Sequence, residues 1–221
     1  KGHGWHAPDF LLRDLGRDLI GAVNHDSGEL VLVNAVREAV VGRIAVGGIL
    51  EEGVAAGRGT ALLNVASKGA IAVVDVARRR VVCEWPMKGC REPTGLAFDA
   101  VDRTVISVCS NGVAEFLDPQ TGAALASIPV GQGADGVMYD ERRKVALIAG
   151  GRSGTLSVIR IETRNSIRLV QTLRIPIGTR LGALDEASGR AYLPSARYDR
   201  DAPGLHRPII STRPSLKLPL V

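Results

Sequence analysis

Three carboxylates, a hydroxyl and a guanidinium stand at one position of a recurring seven-residue pattern: Asp9, Glu52, Thr94, Asp135 and Arg180. Arranged around a common axis, such side chains converge. Converging oxygens suit a hard divalent cation such as calcium, or the orientation of a polar ligand. The plainer reading is a solvated rim whose polar residues satisfy local turn backbone. A second group follows the next apolar run of each unit: Asn24, His25, Asn64, Ser110, Asn111, Arg152 and Ser195. Asn and Ser belong in tight turns for their own backbone reasons, so ligand contact is the sharper of two readings there.

Other signals fail on context. Gly131-Gln132-Gly133-Ala134-Asp135-Gly136 spells the dinucleotide fingerprint, but an apolar alternating run follows it where the fingerprint needs a helix. Ser153 misses the hydrolase elbow by one position. His3 and His6 form a close pair with no carboxylate or cysteine at ligand spacing, in a terminal segment.

The elements that would position these groups come from a repeat. The run Pro93-Thr94-Gly95-Leu96-Ala97-Phe98-Asp99 recurs as 134–140 and 51–57, with worn copies at 8–14 and 179–185. The last residues of the five copies are spaced by 43, 42, 41 and 45. In each unit an apolar run follows (Leu19–Val23, Thr60–Leu63, Thr104–Val108, Lys144–Ile148, Arg190–Leu193), and in the first four then a glycine turn. An alternating run comes next (Glu29–Val33, Ala70–Val74, Val113–Leu117, Thr155–Ile159). Fourth runs end the complete units at Ile44–Gly47, Trp85–Met87, Ile128–Gly131 and Ile175–Gly178.

Four short strands joined by hairpin turns make one antiparallel sheet. Such a sheet has two faces and cannot bury both alone; radial stacking of the sheets solves this. The expectation is an all-β propeller of about five four-stranded antiparallel blades, near 5–48, 49–90, 91–131, 132–178 and 179–196. The fifth is degenerate. Residues 197–221 form a Pro-rich tail: 202–214 is expected as an extended loop, and Leu216–Val221 as an edge strand of the last blade.

Composition agrees and excludes. Aromatics are 4% of the chain and glycines number 26, which suits short strands and tight turns. The formal charge is +5, but Lys and Arg are scattered without interleaved aromatics, so nucleic acid is not an expected partner. No apolar run is long enough to span a membrane. The chain opens on Lys-Gly-His-Gly-Trp-His, which has no apolar signal core.

Of the three cysteines, two are expected to pair. Antiparallel pairing of 94–98 with 104–108 places Pro93 opposite Cys109, with Cys90 in the loop just beyond. A Cys90–Cys109 bridge would close about 20 residues, worth roughly 3 kcal/mol in the loop-entropy picture. Cys83 sits on an outer strand and stays free. The bridge implies an oxidising compartment.

The units resemble the YVTN-type β-propeller repeat, and the chain is similar to the YncE-like bacterial proteins. The residues carrying this are Pro93–Asp99, Ala70-Ile71-Ala72-Val73-Val74-Asp75, Gly154-Thr155-Leu156-Ser157-Val158-Ile159, and the stretches 89–95, 107–112 and 191–196. The resemblance implies seven blades and a periplasmic or secreted protein. It brings no catalytic motif. Relative to that pattern two blades are missing, at the N-terminal end, and unclosed blade edges are a route to oligomers. Functionally, the expectation is a non-catalytic binding or scaffold module with a protein or small-molecule site at the channel rim. The alternative is a lactonase-like hydrolase using a channel metal, marked by a metal or a His–carboxylate pair in the channel.

Overall fold

The aspartate that ends an inner strand builds the turn after it. Asp99 Oδ1 accepts from the backbone N–H of Val101 and Asp102 at 3.0 and 3.1 Å, and Asp140 Oδ1 from Arg143 N–H at 2.9 Å. Asp185 Oδ1 does the same for Ala187 and Ser188. These are Asx turns, in which a short acceptor replaces a backbone carbonyl. The residue that reverses the chain then sits in the left-handed region: Arg103 at φ 51° and Lys144 at φ 54°, with Gly189 at the corresponding place.

With its hairpins so fixed, each unit folds into a sheet ordered as the chain runs. The structure, a computed structural model, describes residues 8–13, 15–16, 18–198, 208–211 and 216–217. The first sheet holds β1 (Pro8–Leu12), β2 (Leu19–Asn24), β3 (Glu29–Asn34) and β4 (Ala39–Ala45). The second holds β5 (Leu50–Ala55), β6 (Thr60–Val65), β7 (Ala70–Asp75) and β8 (Arg80–Pro86). The third holds β9 (Pro93–Asp99), β10 (Thr104–Cys109), β11 (Val113–Leu117) and β12 (Ala124–Pro129). The fourth holds β13 (Ala134–Asp140), β14 (Val145–Gly150), β15 (Thr155–Thr163) and β16 (Ser166–Arg174). All pairings are antiparallel. Inner strands adjoin in succession, β1 to β5 to β9 to β13, and onward to β17 (Ala183–Asp185) of the fifth sheet. This is a β-propeller.

The core lies between sheets. Leu62 and Leu63 are consecutive and both fully buried, yet they serve different layers. Leu63 packs with Leu12, Leu30 and Leu50 toward the first sheet, whereas Leu62 packs with Leu96, Val105 and Leu117 toward the third. Val105 and Ile106 repeat the pattern one sheet on, with Ile106 against Ala146, Ile148 and Ile159. Second strands therefore read as continuous apolar runs because both faces are covered. Full burial of such a side chain contributes about 2 kcal/mol.

Two expectations change. The apolar fourth runs are the ends of the fourth strands and the links that follow them. The strands themselves begin earlier, as at Arg80–Pro86 and Ser166–Arg174, whose residues are mostly exposed, apolar ones such as Val82, Leu169 and Val170 included. Being outermost, these strands mix apolar and polar residues without the pattern that burial imposes.

The tail differs as well. The fifth sheet is β17, β18 (Arg190–Tyr192) and β21 (Leu216–Lys217), with Ala191 opposite Leu216. Within the stretch expected to be a loop, Pro208–Ser211 instead forms β20 against β19 (Ser195–Tyr198). Ile209 and Ile210 favour an extended backbone, and Pro208 is tolerated as the first residue of a strand. Residues 218–221 lie outside the described residues.

Candidate functional site

Every inner strand of the four complete sheets carries an irregularity at the recurring polar position. Register shifts fall between Pro8 and Phe10, between Leu50 and Gly53, and between Ala134 and Val137, and opposite the Pro93–Leu96 segment. A bulge re-aims the side chains it carries. Asp9, Glu52, Thr94 and Asp135 thus stand at or beside bulges of successive inner strands, and Arg180 precedes β17. The Asp9 side chain lies outside the described residues.

Glu52 reaches across to the next sheet, where its Oε2 accepts from the Leu96 N–H at 2.8 Å. Its carboxyl is pushed up to about 7. Burial is the main cause and the charges of Asp135 and Glu51 add to it, while the Leu96 hydrogen bond opposes them. Asp135 has Arg180 Nε 3.8 Å from its Oδ2. Beside Glu52, Glu51 Oε1 lies 3.4 Å from His25 Nδ1, and Asp26 Oδ1 lies 3.8 Å from His25 Nε2. The bulged inner strands and the turn after β2 therefore carry a protonatable carboxyl, a carboxylate–guanidinium pair and a histidine–carboxylate pair.

Native Glu52 holds its proton more tightly than the unfolded chain does. Its stabilising contribution is present below the ordinary value of 4.5 and is lost as pH rises to about 7. Glu52→Gln keeps an acceptor for Leu96 and removes the titration. We expect equal stability of variant and parent at pH 4.5, and at pH 8 a gain of roughly 2 kcal/mol for the variant. Urea midpoints at the two pH values check this; parallel pH dependence in both proteins would sink it.

The remaining expected site residues are largely occupied by the fold. Thr94 Oγ1 donates to the Val108 and Ala134 carbonyls at 3.2 and 3.0 Å. Asn64, fully buried, donates from Nδ2 to the Thr94 and Gly95 carbonyls and accepts from Ser107 Oγ. Both side chains clip one sheet to the next. Asn111 accepts from Arg91 N–H and donates to the Gly89 carbonyl, shaping the loop that holds Cys90. Arg152 is exposed and lies over Gly133. Asn24 is buried, and its Oδ1 has no hydrogen-bond partner. Thr179 Oγ1, one residue before Arg180, is in the same position. Glu51, Ser107 and Thr179 were not distinguishable in the sequence from turn and strand residues.

Among the described residues no group of three or more His, Cys, Asp or Glu side chains is placed to hold a metal ion. Ser153 Oγ accepts from Gln132 N–H and so shapes a turn. The fingerprint glycines 131–136 lead into strand β13. His3 and His6 lie outside the described residues. Cys90 and Cys109 are bonded, with their Cα atoms 5.4 Å apart and Cys109 opposite Pro93, while Cys83 is free and exposed. No helix among the described residues is long and apolar enough to cross a membrane.

No protein-family model matches this chain. No curated protein matches it. Among solved structures it is similar to a chain of Kuenenia stuttgartiensis hydrazine synthase, with a TM-score of 0.75 at 18% identity. The similarity covers 93% of this chain and 62% of that one, so this chain spans less than two thirds of its length. Likeness at that identity carries the fold alone.

Proposed function

We propose that this propeller is a binding or scaffold module of the YVTN-repeat kind, whose ligand or partner site is the channel end carrying Glu52, Asp135 and Arg180. One observation supports the reading: Glu52 stands at a bulge of β5 and Asp135 at a bulge of β13, close enough for the Asp135 charge to raise the Glu52 carboxyl, with the Arg180 guanidinium 3.8 Å from Asp135. Glu52 and the Asp135–Arg180 pair suit a polar ligand offering both donors and acceptors. A buried disulfide supports a periplasmic or secreted location. The test is a thermal-shift survey of sugars, amino acids and polyamines against parent protein and Arg180→Ala. At least one class should raise the melting temperature of the parent and fail to do so in the variant. No shift from any class, or equal shifts in both proteins, would remove the rim from consideration.

The His25–Glu51 pair favours a second reading, a hydrolase of the lactonase kind. Turnover of a simple γ- or δ-lactone, abolished in His25→Gln, would establish it over the first.

A further inference from the structure

The inner strands carry a second feature that the polar positions do not explain. A cavity of about 360 Å³ is walled by three successive inner strands, through Phe10 and Leu11 of β1, Val54 of β5 and Phe98 of β9. That volume is at the lower end of small-molecule sites. Leu11 is 62% exposed, an unusual state for a leucine flanked by aromatic and aliphatic walls. The single charged group in the lining is Arg13, directly after β1. Arg13 makes no ion pair or side-chain hydrogen bond with any described residue, and no carboxylate lines the cavity among them. Arg13 stands four residues beyond the Asp9 position, about 13 Å along an extended chain. It is therefore at the other end of the wall from the rim.

We propose that this cavity binds a small organic anion with an apolar body, such as a medium-chain carboxylate or an aryl sulfonate. The complementarity is of two kinds. An apolar body laid on Leu11, Phe10, Val54 and Phe98 removes their exposed surface from water. The anionic head meets a guanidinium that has no counter-charge among the described residues, in a fork geometry that suits carboxylate and sulfonate oxygens. A neutral apolar molecule gains only the first of these, and an inorganic anion only the second. The proposal is independent of the rim reading.

The probe is 8-anilino-1-naphthalenesulfonate, followed by its fluorescence, with octanoate as competitor. We expect one saturable site per chain, displacement by octanoate, at least tenfold weaker binding in Arg13→Gln, and near-parental binding in Arg13→Lys. Leu11→Asp places a carboxylate in the wall at an already exposed position and should abolish binding. It serves as a second variant if Arg13→Gln does not fold. Arg180→Ala should bind as the parent does, which separates this site from the rim. The proposal is overturned by absence of a saturable site in the parent, or by parental affinity in a folded Arg13→Gln or Leu11→Asp chain.

Discussion

Gly95→Ala will destabilise the protein by about 3 kcal/mol or more, the largest loss expected from adding a single methyl group anywhere in the inner strands. A Cβ at Gly95 would lie 2.5 Å from Gly136 Cα, 2.7 Å from its carbonyl carbon and 2.8 Å from Val137 N. All three are backbone atoms of β13, so no rotamer change relieves the overlap. Either β9 or β13 must retreat, and the Asn64 clip onto the Thr94 and Gly95 carbonyls must retreat with it. Gly42→Ala is the control. Its Cβ would meet only the end of the Arg79 side chain, at 3.0 Å, which can swing away. That substitution should be neutral or slightly stabilising, since alanine narrows the unfolded ensemble. Urea unfolding of the two variants decides the matter; similar midpoints would mean that β9 and β13 do not approach so closely.

Joint replacement of Cys90 and Cys109 by alanine is expected to remove roughly 3 kcal/mol, the loop-closure term for a crosslink of this span. Cys109 is fully buried and Cys90 nearly so. Reductant therefore reaches the bond only when the third sheet opens. Native protein should react with a thiol reagent at Cys83 alone, and reduced, unfolded protein at all three cysteines. Two or three reactive thiols in the native state would refute the bridge.

Legibility in the sequence followed burial. Inner and middle strands announced themselves because Leu62, Leu63, Val105 and Ile106 are covered on both sides, leaving apolar runs at fixed spacing. The Asp99, Asp140 and Asp185 turns were visible for a local reason, each side chain serving its own next few residues. Fourth strands were misplaced because their residues face water. The site was the least legible part. Glu52 and Leu96 are 44 positions apart, so neither the carboxyl's raised affinity for protons nor its backbone partner has a local signature. Asn64 has the composition of an exposed turn residue. It became a buried clip only because the carbonyls of Thr94 and Gly95, some 30 positions on, arrive above it.

The sharing of every apolar layer by two neighbouring sheets also governs how the molecule comes apart. Neighbouring sheets hold one another, so free energy is transmitted along the stack as in a nearest-neighbour Ising model. The second, third and fourth sheets each rest on two such couplings, through Leu63 and Leu62, Val105 and Ile106, Ala146 and Leu147. The fifth sheet shares a layer with the fourth in which Ala191 is its only fully buried contributor among the described residues. Amide exchange should accordingly be slowest in β6, β10 and β14 and faster by orders of magnitude in β17 and β18. Because Leu62 and Leu63 sit in separate couplings, truncating both should sum their separate losses, despite the peptide bond that joins them.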